Sequence, residues 1–363
     1  MTLLLLLSVI TFSPNSVATE RQIAIDEHQV TQHTTTIKGK KIKYSATVGT
    51  QPVWDDQGHP TATLFFTYYQ RTNIKDNTTR PLLISFNGGP GSASVWMHVA
   101  YTGPKILNVD EEGYPLQPYG VKSNPYSILD VADIVFVNPV DTGFSRVLPD
   151  KEGKMPSKEA QKKMFFGVNA DIRYLSDWID TFISRNNRWR SPKYLIGESY
   201  GTTRVSGLAL ALQNKQWMYL NGVILVSPTD IAIKREGAVK SANRLPYFAA
   251  TAWYHNALDP ELQALSLQSL LTQVEDFTVN NYLPALAKGS FIETTEKNNI
   301  AKKVAYFSGL SLKEVMQSNL DISPRYFWKA LLRDREFTVG RLDSRYLGID
   351  EKVAGSSPDY NAE

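Results

Sequence analysis

The spacing of polar and apolar positions changes several times along the chain, and each change marks an element. From Lys41 to Gln70 the residues alternate, as in Lys41-Ile42-Lys43-Tyr44-Ser45, then bunch at Leu64-Phe65-Phe66-Thr67-Tyr68-Tyr69. This predicts antiparallel strands at one edge of a sheet. Leu82-Leu83-Ile84-Ser85-Phe86, Asp133-Ile134-Val135-Phe136-Val137, Lys193-Tyr194-Leu195-Ile196 and Gly222-Val223-Ile224-Leu225-Val226 are short and mostly apolar. Runs of that kind read as strands buried on both faces. Ser157 is placed to cap a helix reaching about Asn187, with Met164, Phe165, Val168, Ile172, Leu175, Ile179 and Phe182 on one face. A second amphipathic helix follows the third run, with Val205, Leu208, Ala209 and Leu212 together. Strands alternating with helices predict an α/β fold, a mainly parallel sheet flanked by helices. From about Arg235 to Asp334 the spacing turns helical, as in Leu262, Leu265, Leu267, Leu270 and Leu271, which predicts a helical insertion. Phe337 to Tyr346 then reads as a return to the core.

The N-terminus follows a different pattern. Leu3-Leu4-Leu5-Leu6-Leu7-Ser8-Val9-Ile10 is too short to span a bilayer, and Ser16-Val17-Ala18 supplies the small residues of a cleavage site. Residues 1–18 are therefore expected to be a signal peptide, 19–234 the sheet core, 235–334 the helical insertion and 335–363 the return. The expected destination is secreted or periplasmic, with no later segment long enough for a stable membrane anchor.

Composition narrows the chemistry. The chain has 363 residues, 39 Lys and Arg against 36 Asp and Glu, and no cysteine. That balance carries no nucleic-acid footprint. The missing thiols exclude disulfides, thiolate nucleophiles and cysteine-held metal centres. No cofactor or metal is expected.

Three strands run into unusual loops, and in parallel sheets the active site lies beyond the C-terminal strand ends. Gly197-Glu198-Ser199-Tyr200-Gly201 has the form of a nucleophile elbow, a strained strand-to-helix turn that presents a serine hydroxyl. Asn87-Gly88-Gly89-Pro90-Gly91 packs three glycines and a proline into five positions, a loop whose amides can closely approach a ligand. Oxyanion donors are then at hand, the Tyr200 amide and one from the glycine loop, each typically worth about 3 kcal/mol in the transition state.

Taken in order, Asn87-Gly88-Gly89-Pro90-Gly91-Ser92, Asn138-Pro139-Val140-Asp141-Thr142-Gly143-Phe144-Ser145 and Gly197-Glu198-Ser199-Tyr200-Gly201 resemble the serine carboxypeptidase family, secreted α/β-hydrolases that remove C-terminal amino acids. The resemblance runs from about Lys41 onward, and the Gly340 to Tyr346 stretch makes it closest to the bacterial branch. It implies an α/β-hydrolase fold with a helical cap, Ser199 as acylating nucleophile, and Gly89 and Tyr200 as oxyanion donors. It also implies that Asn87, Gly88 and Glu198 grip the terminal carboxylate of a peptide substrate. A glutamate facing a carboxylate requires a proton between them, because burial and like charge disfavour two ionised groups. Such a site favours acid pH.

Two features depart from the family. Ser92 stands where many relatives carry cysteine. The family's catalytic Asp and then His follow the serine, yet of five histidines only His255 lies beyond Ser199, inside the helical stretch. His255 reads as a cap or surface residue, and Asp343 and Asp350 as structural or solvated. The simplest expectation is a fragment lacking the last strands and the triad Asp and His, inactive as it stands. An acyltransferase or esterase on the same fold, or a catalytically dead binding protein, are the alternatives.

Overall fold

The computed structural model describes residues 23–111, 113–229 and 236–359; the expected signal peptide lies outside them. The chain divides into two compact units, Met1–Thr229 and Asp230–Glu363.

The first unit is built on strands β1 (His28–Ile37), β2 (Lys40–Trp54), β3 (Pro60–Arg71), β4 (Leu82–Phe86), β5 (Lys105–Leu107), β6 (Val121–Ser123), β7 (Asp133–Val137), β8 (Arg146–Val147), β9 (Lys193–Glu198) and β10 (Gly222–Val226). Its main sheet has the order β1-β2-β3-β7-β4-β9-β10. The three N-terminal strands pair antiparallel along one edge, as the alternating pattern predicts, and β3 also runs antiparallel to β7. Strands β7, β4, β9 and β10 are parallel, with Ile84 in register with both Val135 and Leu195. The C-terminal ends of β4, β7 and β9 therefore lie side by side, which gathers the three motif loops.

The sheet is flanked by α1 (Lys158–Phe165), α2 (Val168–Arg185) and α3 (Tyr200–Gln216). Ser157 caps α1 by accepting a hydrogen bond from the Ala160 amide. The single helix expected to Asn187 is two, because the chain breaks at Phe166 and Gly167, where Gly167 takes φ +117°. Leu175, Trp178, Ile179 and Phe182 from α2, with Val205, Leu208 and Leu212 from α3, bury against Leu82, Ile84, Phe86, Val135 and Leu195. Each such large apolar side chain contributes roughly 1.5–3 kcal/mol by leaving water. Val168 departs from the predicted face: it opens α2 just after the break and is 42% exposed. At the start of β7, the buried carboxylate of Asp133 pairs with Arg188 (2.7 Å) and Arg80 (2.9 Å) and accepts from the Arg71 amide.

The second unit is helical, as expected, from α4 (Gly237–Ala242) to α11 (Pro324–Ala330). Its core stacks Phe248 on Phe327 at 4.1 Å and includes Leu245, Leu270, Val274 and Phe307. Of the five leucines singled out by spacing, Leu262 and Leu270 are buried, while Leu267 is exposed at the start of its helix. The segment assigned to a return to the core, 335–363, contributes the antiparallel ribbon of β11 (Phe337–Val339) and β12 (Leu347–Ile349), with Val339 in the helical core. Asp350 neutralises the buried Lys329 at 2.5 Å, and Asp343 pairs with Arg345 at 2.7 Å. His255 donates from Nε2 to the Ser344 carbonyl at 2.6 Å. These contacts give all three residues structural employment. Among the described residues, no helix is long and apolar enough to cross a membrane.

Candidate active site

Strand β9 stops at Glu198, and Ser199 turns the chain into α3 with φ +55° and ψ −123°. A side chain in that region costs on the order of 1–3 kcal/mol and persists only where its surroundings over-determine it. Here the Ser199 amide donates to the Val226 carbonyl at 3.0 Å. Its own carbonyl accepts from the amide and hydroxyl of Thr202, at 2.9 and 2.7 Å. The turn tolerates no other residue at its two glycines. A Cβ on Gly197 would sit 2.1 Å from the Gly201 carbonyl oxygen, and one on Gly201 would sit 2.9 Å from that of Phe86. The Ser199 hydroxyl does not cap its own helix.

The glycine loop lies directly on this turn. A Cβ on Gly88 would meet the Tyr200 nitrogen at 2.6 Å and Ser199 Cβ at 2.8 Å, so only bare backbone fits. The loop closes through the Ser92 amide, which donates to the Gly88 carbonyl at 3.1 Å. The amides of Gly89 and Tyr200 have no backbone acceptor among the described residues outside their own elements.

Asn87 is fully buried and its amide orientation is fixed from both sides. Oδ1 accepts from the Met97 amide at 3.0 Å, which turns Nδ2 toward Glu198 Oε2, also at 3.0 Å. Glycine loop and elbow thus bring Asn87, Gly88, Gly89, Glu198, Ser199 and Tyr200 together. The third loop braces them. Asn138 Oδ1 accepts from the Ser94 amide at 3.0 Å, and the Ser94 hydroxyl donates to the Val137 carbonyl at 2.5 Å.

Met97 opens a short π-helical turn, Met97–Thr102, which carries two further residues that apolar spacing did not flag. His98 Nε2 bonds the Tyr69 hydroxyl at 2.7 Å, and its ring stacks on Phe136 at 4.5 Å. Burial pulls its pKa down to about 4, so the ring is neutral, and burial likewise raises the Tyr69 phenol. Tyr101 is raised first by burial and then by the charge of Glu198, which places it within electrostatic reach of the carboxylate. Its hydroxyl donates to Met97 Sδ at 2.9 Å.

Asp171 and Arg204 were also missed. Each is a charged residue on the apolar face of its helix, four positions before Leu175 and Leu208, and that misfit was the available signal. They form a buried ion pair at 2.8 Å. A hollow of about 270 Å³ lies beside the loop, lined by Pro90, Gly91, Phe165, Phe166, Tyr200 and Arg204 among others.

The family model described as serine carboxypeptidase matches residues 54–323. Serine carboxypeptidase-like 38 of Arabidopsis thaliana is 24% identical over 292 residues, 74% of this chain and 57% of that protein. Serine carboxypeptidase-like 36 of the same plant is 31% identical over 169 residues, 46% of this chain and 32% of that protein. Among solved structures, a prohormone-processing carboxypeptidase from Saccharomyces cerevisiae aligns with a TM-score of 0.42 at 18% identity, covering 73% of this chain and 53% of that one. The chain therefore spans between about a third and somewhat over half the length of these relatives. With the family model matched across most of the chain, and the elbow and glycine loop at adjacent strand ends of an α/β-hydrolase sheet, the chain belongs to the serine carboxypeptidase family.

Proposed function

We propose that the protein is an exported serine carboxypeptidase that cleaves C-terminal residues from peptides through an acyl-enzyme on Ser199. One observation carries this reading: the Asn87–Glu198 hydrogen bond lies beside the nucleophile turn, with Gly88 pressed against Ser199. A peptide's terminal carboxylate is gripped by Asn87, Gly88 and a shared proton on Glu198. The scissile carbonyl then sits over Ser199 Oγ, between the amides of Gly89 and Tyr200.

In acylation, Oγ attacks the carbonyl carbon, the oxyanion is held by the two amides, and the C–N bond breaks as the amine leaves protonated. Water repeats the attack on the ester and frees Ser199. Both steps need a base for the attacking proton. His98 is already engaged elsewhere, its Nε2 bonded to the Tyr69 hydroxyl and its ring stacked on Phe136. With no base at Ser199 among the described residues, acylation by these residues is expected to be slow, on the oxyanion hole alone. The apolar hollow beside Pro90 and Tyr200 offers room for a large substrate side chain.

The test is hydrolysis of a blocked dipeptide by the full-length protein from pH 4 to 8, against the same dipeptide with its C-terminus amidated. The free acid should be cleaved and the amide poorly, with the rate on the acid falling as pH rises. Glu198→Gln should flatten that fall, because the repelling charge is gone. A flat wild-type profile, or equal cleavage of acid and amide, would remove the carboxylate grip from the account.

A further inference from the structure

Arg204 is buried one turn into α3, and each of its three guanidinium nitrogens donates a hydrogen bond. Nε donates to Asp171 Oδ2 at 2.8 Å, Nη1 to the Asn87 carbonyl at 2.9 Å and Nη2 to the Pro90 carbonyl at 3.3 Å. Its plane lies near the rings of Tyr200 and Phe86, with Cζ 5.3 and 5.7 Å from their centroids. Asp171 Oδ1 accepts from the Tyr174 hydroxyl at 3.1 Å, and that hydroxyl accepts from the Val140 amide at 3.2 Å. One chain of hydrogen bonds therefore runs from the third loop through α2 and α3 to both ends of the Asn87–Pro90 segment.

We propose that Arg204 is a positioning residue that sets the distance between the two oxyanion amides, with Asp171 and Tyr174 holding it in place. Tyr200 rides on α3 and Gly89 on the glycine loop, and Arg204 joins these elements through rigid forked contacts. Its two loop acceptors bracket Gly88 and Gly89, so a shift of the guanidinium moves the Gly89 amide relative to Tyr200. A lysine cannot replace it, because a single ammonium does not present a planar fork to two carbonyls and a carboxylate. The inference rests on reading Ser199 as the nucleophile, and the measurements separate the two.

The probe is a fluorophosphonate: Ser199 Oγ bonds to phosphorus, the P–F bond breaks, fluoride leaves and the hydroxyl proton passes to solvent. In the full-length protein, Arg204→Lys should lower the maximal labelling rate about tenfold or more and leave the half-saturating probe concentration unchanged. Amide exchange at Ser92, which closes the loop onto Gly88, should rise by a similar factor while amides of β4 and β9 stay protected. Wild-type labelling and wild-type exchange would overturn the proposal, as would a change confined to half-saturation. If Arg204→Lys does not fold, Tyr174→Phe decides: it keeps the ion pair, and a smaller loss in both readouts is expected, against none if the chain of bonds is idle. Equal labelling of Ser199→Ala would sink the nucleophile reading alone, since loop exchange still judges Arg204.

Discussion

Gly88 leaves no room for adjustment, because the atoms a side chain would strike are the backbone nitrogen of Tyr200 and Cβ of Ser199. Gly88→Ala must push the loop off the elbow. Overpacking of this kind costs about 1–3 kcal/mol, and the displacement falls on the proposed oxyanion site itself. The variant is expected to fold with a modest loss in urea midpoint and to lose labelling of Ser199 by two orders of magnitude or so. Gly120 makes the control, since its Cβ would meet nothing within 4 Å and its backbone is not in the left-handed region. Gly120→Ala should label close to the wild type. Equal behaviour of the two variants would mean that close approach at Gly88 is not what the site requires.

Among the elements, those that the sequence made legible are the ones whose own residues decide them. Strands β4, β7 and β9 are mostly apolar because they are central, and apolar spacing found them. Strand β1 was not visible, because His28–Ile37 is polar, faces solvent along most of its length and owes its form to pairing with β2. The break between α1 and α2 hid behind a continuous helical pattern that Gly167 interrupts. At the site, the glycines and Ser199 could be read directly because backbone geometry dictates them. Met97, Tyr174 and Arg204 act through contacts 10, 34 and 117 residues away, which no local pattern carries. One element bears its own prediction. Strand β10 was read as buried, yet Val223, Ile224 and Leu225 are 38, 40 and 48% exposed, with β9 as its strand partner. An apolar edge of that kind invites pairing with another chain. The chain is expected to self-associate in sedimentation velocity at high concentration, and Ile224→Lys to reduce this; a variant that associates as strongly as wild type would exclude this edge.

At the scale of the whole molecule, acid has opposing effects. Burial holds His98 near pKa 4 in the folded chain against its ordinary 6.5. Between these values the unfolded chain binds a proton that the native ring refuses. His98 thus contributes full stability above about pH 6.5, and this is lost as pH falls toward 4, by up to about 3 kcal/mol. Urea midpoints should fall across that window. His98→Gln, which can still bond Tyr69, should fall less; parallel losses in both proteins would acquit His98. The proposed carboxylate grip favours acid while the loss at His98 opposes it, so activity should pass through a maximum on the acid side instead of rising without limit.

The central claim is that Ser199 is the nucleophile, in a site built to hold a terminal carboxylate. Its most direct test is fluorophosphonate labelling of the full-length protein, followed by peptide mapping, with and without a blocked dipeptide as competitor. A single dominant adduct on Ser199 is expected, suppressed by the dipeptide more strongly at pH 5 than at pH 8 and not by its C-terminal amide. An adduct spread over surface serines, or one on Ser199 that acid and amide suppress equally, would contradict it.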